Sequence, residues 1–281
     1  MSPLAPSHRQ YLMCRPSYFT VSYEISPWMD VSVPVDTPRA VAQWERLRDV
    51  HLDLGHTVHE IEPEPGLPDM VYAANGATVV DGIAYEARFR HPERAAEGPA
   101  YLKWFADLGF VTHGAEQVNE GEGDLLTCGS RVLAGYGPRT DVASHAEAGA
   151  LWGREVVSLE LVDPRLYHLD TALTVLRGND GGTPDDECDV AYLPEAFSPE
   201  SREVLATLFP DALQATAEDA AVLGLNAVSD GEHVVLAQAA TRFAAALRER
   251  GYEPVAVDTS ELLRGGGGAK CCTLELRGTP H

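Results

Sequence analysis

The chain has 281 residues, 44% of them apolar, a composition that supports a folded core and excludes a disordered or fibrous protein. Its 21 basic and 43 acidic residues leave a net charge of −22, which repels nucleic acid and anionic membranes and attracts small cations. The five scattered cysteines form no disulfide framework.

No apolar run reaches the roughly 20 residues that cross a bilayer, and MSPLAPSHRQYLM at the start lacks the apolar core of a secretory signal. A cytoplasmic protein with no nucleic-acid or membrane partner is the expectation. In chain order, strand-like runs fall at YLMCR (11–15), HTVHEIE (56–62), MVYAANGATVV (70–80) and DLLTCGSRVLAGYG (124–137). They continue at REVVSLELV (154–162), LYHLDTALTVL (166–176), CDVAYL (188–193), HVVLA (233–237) and CCTLEL (271–276). Helical patterns lie between them at 38–54, 92–108, 141–152, 199–208, 216–223 and 238–250. The first opens on Asp36-Thr37-Pro38, a cap and a first-turn proline, and stops at Gly55. GNDGGTPDDE (178–187) reads as an exposed hairpin loop rather than a domain boundary. A unit of strand pair, helix and strand recurs about every 56 residues, so five would fill a single domain over 1–281. The class is mixed α/β.

The segment LLRGGGGAKCCTLEL (262–276) sets four glycines, Gly265 to Gly268, before Cys271 and Cys272. Glycines permit positive φ and close backbone approach, so this loop can seat a cysteine against a ligand, with Lys270 beside it to favour the thiolate. An ordinary glycine turn before an edge strand fits the segment equally well. A nucleophilic cysteine needs an acid/base partner. Of the ten histidines, most lie in polar contexts, such as His8, His91 and His281, but His168 sits inside an apolar run. If that run is a strand, His168 and Asp170 share one face. NEGEGDLL (119–126) offers Glu120, Glu122 and Asp124, as a solvated turn or as acids aimed inward at a cation. Arg139 suits bidentate contact with a substrate carboxylate, or is a surface arginine. No C-x-x-C or H-E-x-x-H spacing calls for a metal.

In this order the motifs resemble the guanidino-group-modifying superfamily of arginine deiminases, dimethylarginine dimethylaminohydrolases, arginine dihydrolases and amidinotransferases. RPSYFTVSYEISPWM (15–29), LPDMVYAAN (67–75), EGEGD (120–124), HLD (168–170) and GGGGAKCCT (265–273) carry the likeness. The resemblance implies a five-bladed α/β propeller built from repeated ββαβ units, and a hydrolase needing no cofactor. It implies Cys271 as nucleophile, His168 as acid/base, and Glu120, or else Glu122, on the guanidinium. Asp170 and Asp124 would bind the guanidine, Asp69, Asn75 and Arg90 would line the pocket or its lid, and Arg139 would hold the carboxylate. Two departures from the family stand out: Ala74 and Asn75 occupy the place where dimethylarginine hydrolases carry a pair of acids, and Ser26 the place where the dihydrolase branch carries Asn. Attack on the guanidine carbon gives a thiouronium adduct, then a ureido product such as citrulline with ammonia or an amine. Transfer of the amidino group to an acceptor amine, and non-catalytic binding of a guanidino ligand, stay open, as does a homo-oligomer.

Overall fold

A computed structural model describes residues 4–280, so His281 lies outside the described residues. The strands are β1 (Gln10–Cys14), β2 (Thr57–Ile61), β3 (Ala77–Val80), β4 (Ile83–Glu86), β5 (Val111–His113), β6 (Leu125–Cys128), β7 (Arg131–Tyr136) and β8 (Glu155–Glu160). They continue as β9 (Leu173–Arg177), β10 (Asp189–Tyr192), β11 (Leu213–Gln214), β12 (Val228–Ser229), β13 (His233–Ala237), β14 (Glu253–Val257) and β15 (Leu274–Glu275). Together they make five three-stranded sheets.

Every sheet repeats one plan: an antiparallel pair, a helical crossover, then a third strand parallel to the second. In the second sheet β3 runs antiparallel to β4, helix Glu97–Asp107 follows, and β5 lies parallel to β4. A parallel neighbour cannot be reached by a tight turn, so each blade requires its crossover. The ring closes because β15 pairs antiparallel with β1, Tyr11 opposite Glu275 and Leu12 opposite Leu274. The first strand of each unit faces the axis, where β15 touches β3 and β9 touches both β6 and β12. These inner strands are short and almost wholly buried, whereas the third strands keep one open face.

The five-blade recurrence and the α/β class hold. Helix Thr37–Asp53 begins where expected, with the Asp36 carboxylate accepting from Arg39 N, and Gly55 adopts φ +85°. Three expectations need correction. LYHLDTALTVL is not one strand: His168 precedes a single helical turn, Leu169–Ala172, and β9 begins only at Leu173. MVYAANGATVV is two short helical turns before β3, and CCTLEL is a turn before a two-residue strand. The strands β4, β5, β11, β12 and β14 escaped the sequence reading; the first four have two to four residues, too few to show periodicity, and β14 has five, broken by Pro254.

Candidate active site

Functional side chains gather where each blade begins, on the turn that leads into its inner strand. The turn 68–75 carries Asp69 and Asn75, 120–124 carries the acids, 168–172 carries His168 and Asp170, and 265–273 carries Cys271. The Cys271 sulfur lies 3.4 Å from Asp170 Oδ2, and Cys271 O accepts from Ala74 N at 3.0 Å, which ties the cysteine turn to the Asn75 turn. A Cβ added to Gly123 would sit 2.5 Å from Asn75 Nδ2 and 3.2 Å from His168 Nδ1, so glycine lets these two converge. Gly121, at φ +61°, packs against the carbonyls of Ala74, Asn75 and Ala77.

The histidine is oriented by Glu120. His168 Nε2 lies 2.7 Å from Glu120 Oε2, which also accepts from Arg139 Nη1 at 2.9 Å. Burial alone would raise the Glu120 carboxyl, but the Arg139 guanidinium and the His168 hydrogen bond outweigh it and hold the acid well below the usual range. An ionised carboxylate only accepts, so Nε2 carries the hydrogen of this bond, and Nδ1 is left on the other edge of the ring. That Nδ1 is buried with no partner in the protein.

Of the expected guanidinium acids, those of 120–124 are already engaged. Glu120 serves His168 and Arg139. Glu122 is held by Lys270 at 2.8 Å, by Glu275 N at 2.9 Å and by Arg277, which places it on the propeller axis in an ion network. Asp124 accepts from Leu169 N at 2.9 Å and Thr140 Oγ1 at 2.7 Å, so it caps the histidine turn, with burial pushing its carboxyl up to about 6. The unpartnered buried carboxylate oxygens are Asp170 Oδ1 and Asp69 Oδ1. Burial pushes the Asp170 carboxyl up to about 7.

Further corrections concern the basic residues. Lys270 points to Glu122 and Thr273 O rather than activating the thiol. Burial first, then the Asp170 charge, push the Cys271 thiol well above its ordinary value in the free protein. Arg139 is not a free carboxylate clamp: besides Glu120 it donates to Ile25 O at 2.8 Å and stacks 4.5 Å from the centre of the Tyr167 ring. Arg90 is exposed; it pairs with Asp141 and donates to Arg139 O at 3.0 Å, on the rim of the site. Segment 15–36 covers the site through that Ile25 carbonyl and through Tyr23 OH, which donates to Asp69 Oδ2 at 2.9 Å.

Two residues of the site escaped the sequence reading. Arg94 is buried, held by both Glu97 oxygens at 3.0 and 2.8 Å, and donates to Asn75 Oδ1 at 3.0 Å. A guanidinium cannot accept, so this bond turns the Asn75 NH2 toward Gly123 and His168. Asn226, ahead of β12, bonds the Cys271 turn. Its signal was positional, since it occupies in the fifth blade the place that Asp170 and Asn75 occupy in theirs.

Comparison with known proteins finds relatives over most of the chain. The chain is 56% identical over 271 residues to a N(G),N(G)-dimethylarginine dimethylaminohydrolase of Mycobacterium tuberculosis, covering 96% of this chain and 87% of the other. It is 34% identical over 272 residues to a bifunctional arginine dihydrolase/ornithine cyclodeaminase of Synechocystis, across 94% of this chain but 37% of that longer one. The crystal structure of the N-terminal domain of a cyanobacterial arginine dihydrolase, a Cys-to-Ser variant bound to substrate, superposes with a TM-score of 0.89 at 31% identity, over 97% of this chain and all of that one. No family profile matches.

Proposed function

The chain belongs to the dimethylarginine dimethylaminohydrolase family of guanidino-modifying enzymes, and on that premise we propose that it hydrolyses the guanidino group of free arginine or an N-methylated arginine through Cys271. The observation that carries the reading is a set of buried atoms without protein partners, His168 Nδ1, Asp170 Oδ1 and Asp69 Oδ1, with the Asp170 side chain 3.4 Å from the Cys271 sulfur through its other oxygen. A buried polar group left unpaired within the protein calls for a further partner, a water or a ligand. A planar cation rich in N–H donors completes two bare carboxylate oxygens.

The chemistry follows from charge. A guanidinium spreads its charge over three nitrogens and is a poor electrophile, so the acids fix two of them by charge-assisted hydrogen bonds and aim the carbon at sulfur. Its positive charge also favours the thiolate, opposing the effects of burial and Asp170. The sulfur–carbon bond forms, and His168, starting with a second proton on Nδ1, gives that proton to the nitrogen that leaves as ammonia or a methylamine. A water then adds to the thiouronium carbon while Nδ1 takes its proton. The carbon–sulfur bond breaks, giving citrulline and the free thiolate. Asn75 turns N–H donors toward His168, the polarity that suits an incoming oxygen. We read residues 1–281 as one catalytic domain, since the ring joins the first strand to the last. The odd cysteine count favours the cytoplasm, and the acidic surface favours a small cationic partner over nucleic acid or membrane. None of the helices among the described residues is long and apolar enough to cross a membrane.

Incubating the enzyme separately with arginine and dimethylarginine, and measuring citrulline, ammonia and dimethylamine, tests the reading. Citrulline with ammonia identifies arginine, citrulline with dimethylamine the methylated substrate. Cys271→Ala should abolish both at an unchanged melting temperature. Absence of citrulline from either substrate refutes the proposal, as does turnover by the Ala variant.

A further inference from the structure

Asn226 lies outside every motif of the sequence and is fully buried, at 0% exposure. Its Oδ1 accepts from Gly268 N at 3.0 Å and Cys271 N at 3.1 Å. Both partners are backbone N–H groups, which only donate, so the oxygen end of this amide is fixed. The nitrogen end is thereby turned to Asp170 O at 3.2 Å and to Cys271 Sγ at 3.1 Å. On another side of the sulfur stands Asp170 Oδ2, an acceptor that favours the protonated thiol. The nucleophile thus sits between the Asn226 amide and an acidic acceptor, with the Gly268 backbone also favouring the thiolate, and Lys270, the nearest cation in sequence, is spent on Glu122.

We propose that Asn226 is a catalytic residue: its Nδ2–H donates to the Cys271 sulfur and stabilises the thiolate, both before attack and when sulfur departs from the ureido carbon. Ionisation of the free enzyme releases the thiol proton to water. The bond strengthens as charge arrives on sulfur and weakens in the thiouronium adduct, where sulfur carries little charge. It therefore favours thiolate departure in the second half of the reaction. The inference rests on Cys271 as nucleophile but not on which guanidine is consumed.

Alkylation by iodoacetamide, followed by mass spectrometry of the peptide containing Cys271, reads the thiolate fraction without substrate. Asn226→Asp keeps an oxygen for the two backbone N–H groups while replacing the donor. Its alkylation profile should move up by about one pH unit or more, a tenfold slower reaction below the inflection. Asp170→Asn should move it down. A wild-type profile in Asn226→Asp, with turnover lost, would make Asn226 a brace only and overturn the proposal. Should that variant fail to fold, the side-chain amide resonances of Asn226 in the native enzyme decide. They should shift through the alkylation inflection and stay fixed in Cys271→Ala; resonances that do not move overturn the proposal. If the profiles shift as expected yet neither arginine is consumed, the substrate reading fails and this one stands.

Discussion

Replacing Arg94 tests whether the arginine orients the site or merely fills the fold. The side chains of Arg94 and Glu97 are 4% and 0% exposed, and the guanidinium also lies 4.5 Å from the centre of the Phe89 ring. Arg94→Met leaves the Glu97 carboxylate buried without its partner, a change that costs about 3–5 kcal/mol. At about 2–4 °C per kcal/mol, the melting temperature should fall by roughly 10 °C. Adding Glu97→Leu removes one stranded charge and should recover part of that loss, since apolar replacement of a buried pair is often neutral, while Asp69, 3.9 Å from the native guanidinium, stays without it. Asn75, however, still lacks the donor that fixes its amide, and a misplaced polar group beside the reacting atoms costs on the order of a hundredfold in rate. The double variant should therefore melt closer to the native temperature than Arg94→Met does, while kcat/KM for citrulline formation stays as depressed as in the single variant. Thermal melts and a citrulline assay on the single and double variants measure both. Recovery of activity together with stability would refute an orienting role for Arg94.

Two further outcomes follow from the site. The Asp170 carboxyl is raised from its ordinary 3.8 to about 7, so its contribution to folded-state stability is complete below 3.8 and is lost as pH rises through about 7. Substrate binding runs the other way: arginine affinity of Cys271→Ala, measured by calorimetry, should fall as pH drops below about 7 and lose that dependence when Asp170→Asn is added. Gly123→Ala places a methyl 2.5 Å from Asn75 Nδ2 and 3.2 Å from His168 Nδ1. It should cost about 1–3 kcal/mol by melting, as overpacking does, with a far larger loss in turnover; native turnover would show that the two groups need not converge.

The propeller was legible because its repeat is local. Each blade spends one helix on a parallel crossover, and helices announce their ends through residues such as Asp36, Ser198 and Gly55, two capping oxygens and a positive-φ stop. Several residues that gather on the turns of the site were legible too, but Arg94 and Asn226 were not, and neither were the contacts of the others, because partners far along the chain set them. His168 and Asp170 read as strand neighbours, yet Asp124, 45 residues before Leu169, caps a helical turn there. Lys270 reads as the neighbour of a cysteine until Glu122, 148 residues away, claims it. Glu120, Glu122 and Asp124 look alike in sequence. Their tasks differ because one meets Arg139 and His168, one Lys270 and Arg277, and one a backbone N–H.

The same repeat explains how one small site draws on most of the ring. Asn75, Asp124, Asp170, Asn226 and Cys271 each stand one to three residues before the inner strand of a blade, at β3, β6, β9, β12 and β15. An inner strand lies against its neighbours around the axis, so the turn feeding it must end over the same central hollow. Substitution at such a turn changes the pocket without disturbing the sheet that carries it, and five equivalent turns supply five independent side chains. The arrangement also separates the two uses of acid in this chain. Surface carboxylates supply most of the net charge and act at long range, where salt screens them. The buried ones act in pairs at contact distance, and among the described residues only Asp69 and Asp170 keep a buried carboxylate oxygen without a protein partner. Charge on the outside can raise the rate at which a guanidinium arrives, but in the reaction proposed above its orientation over Cys271 depends on those two oxygens.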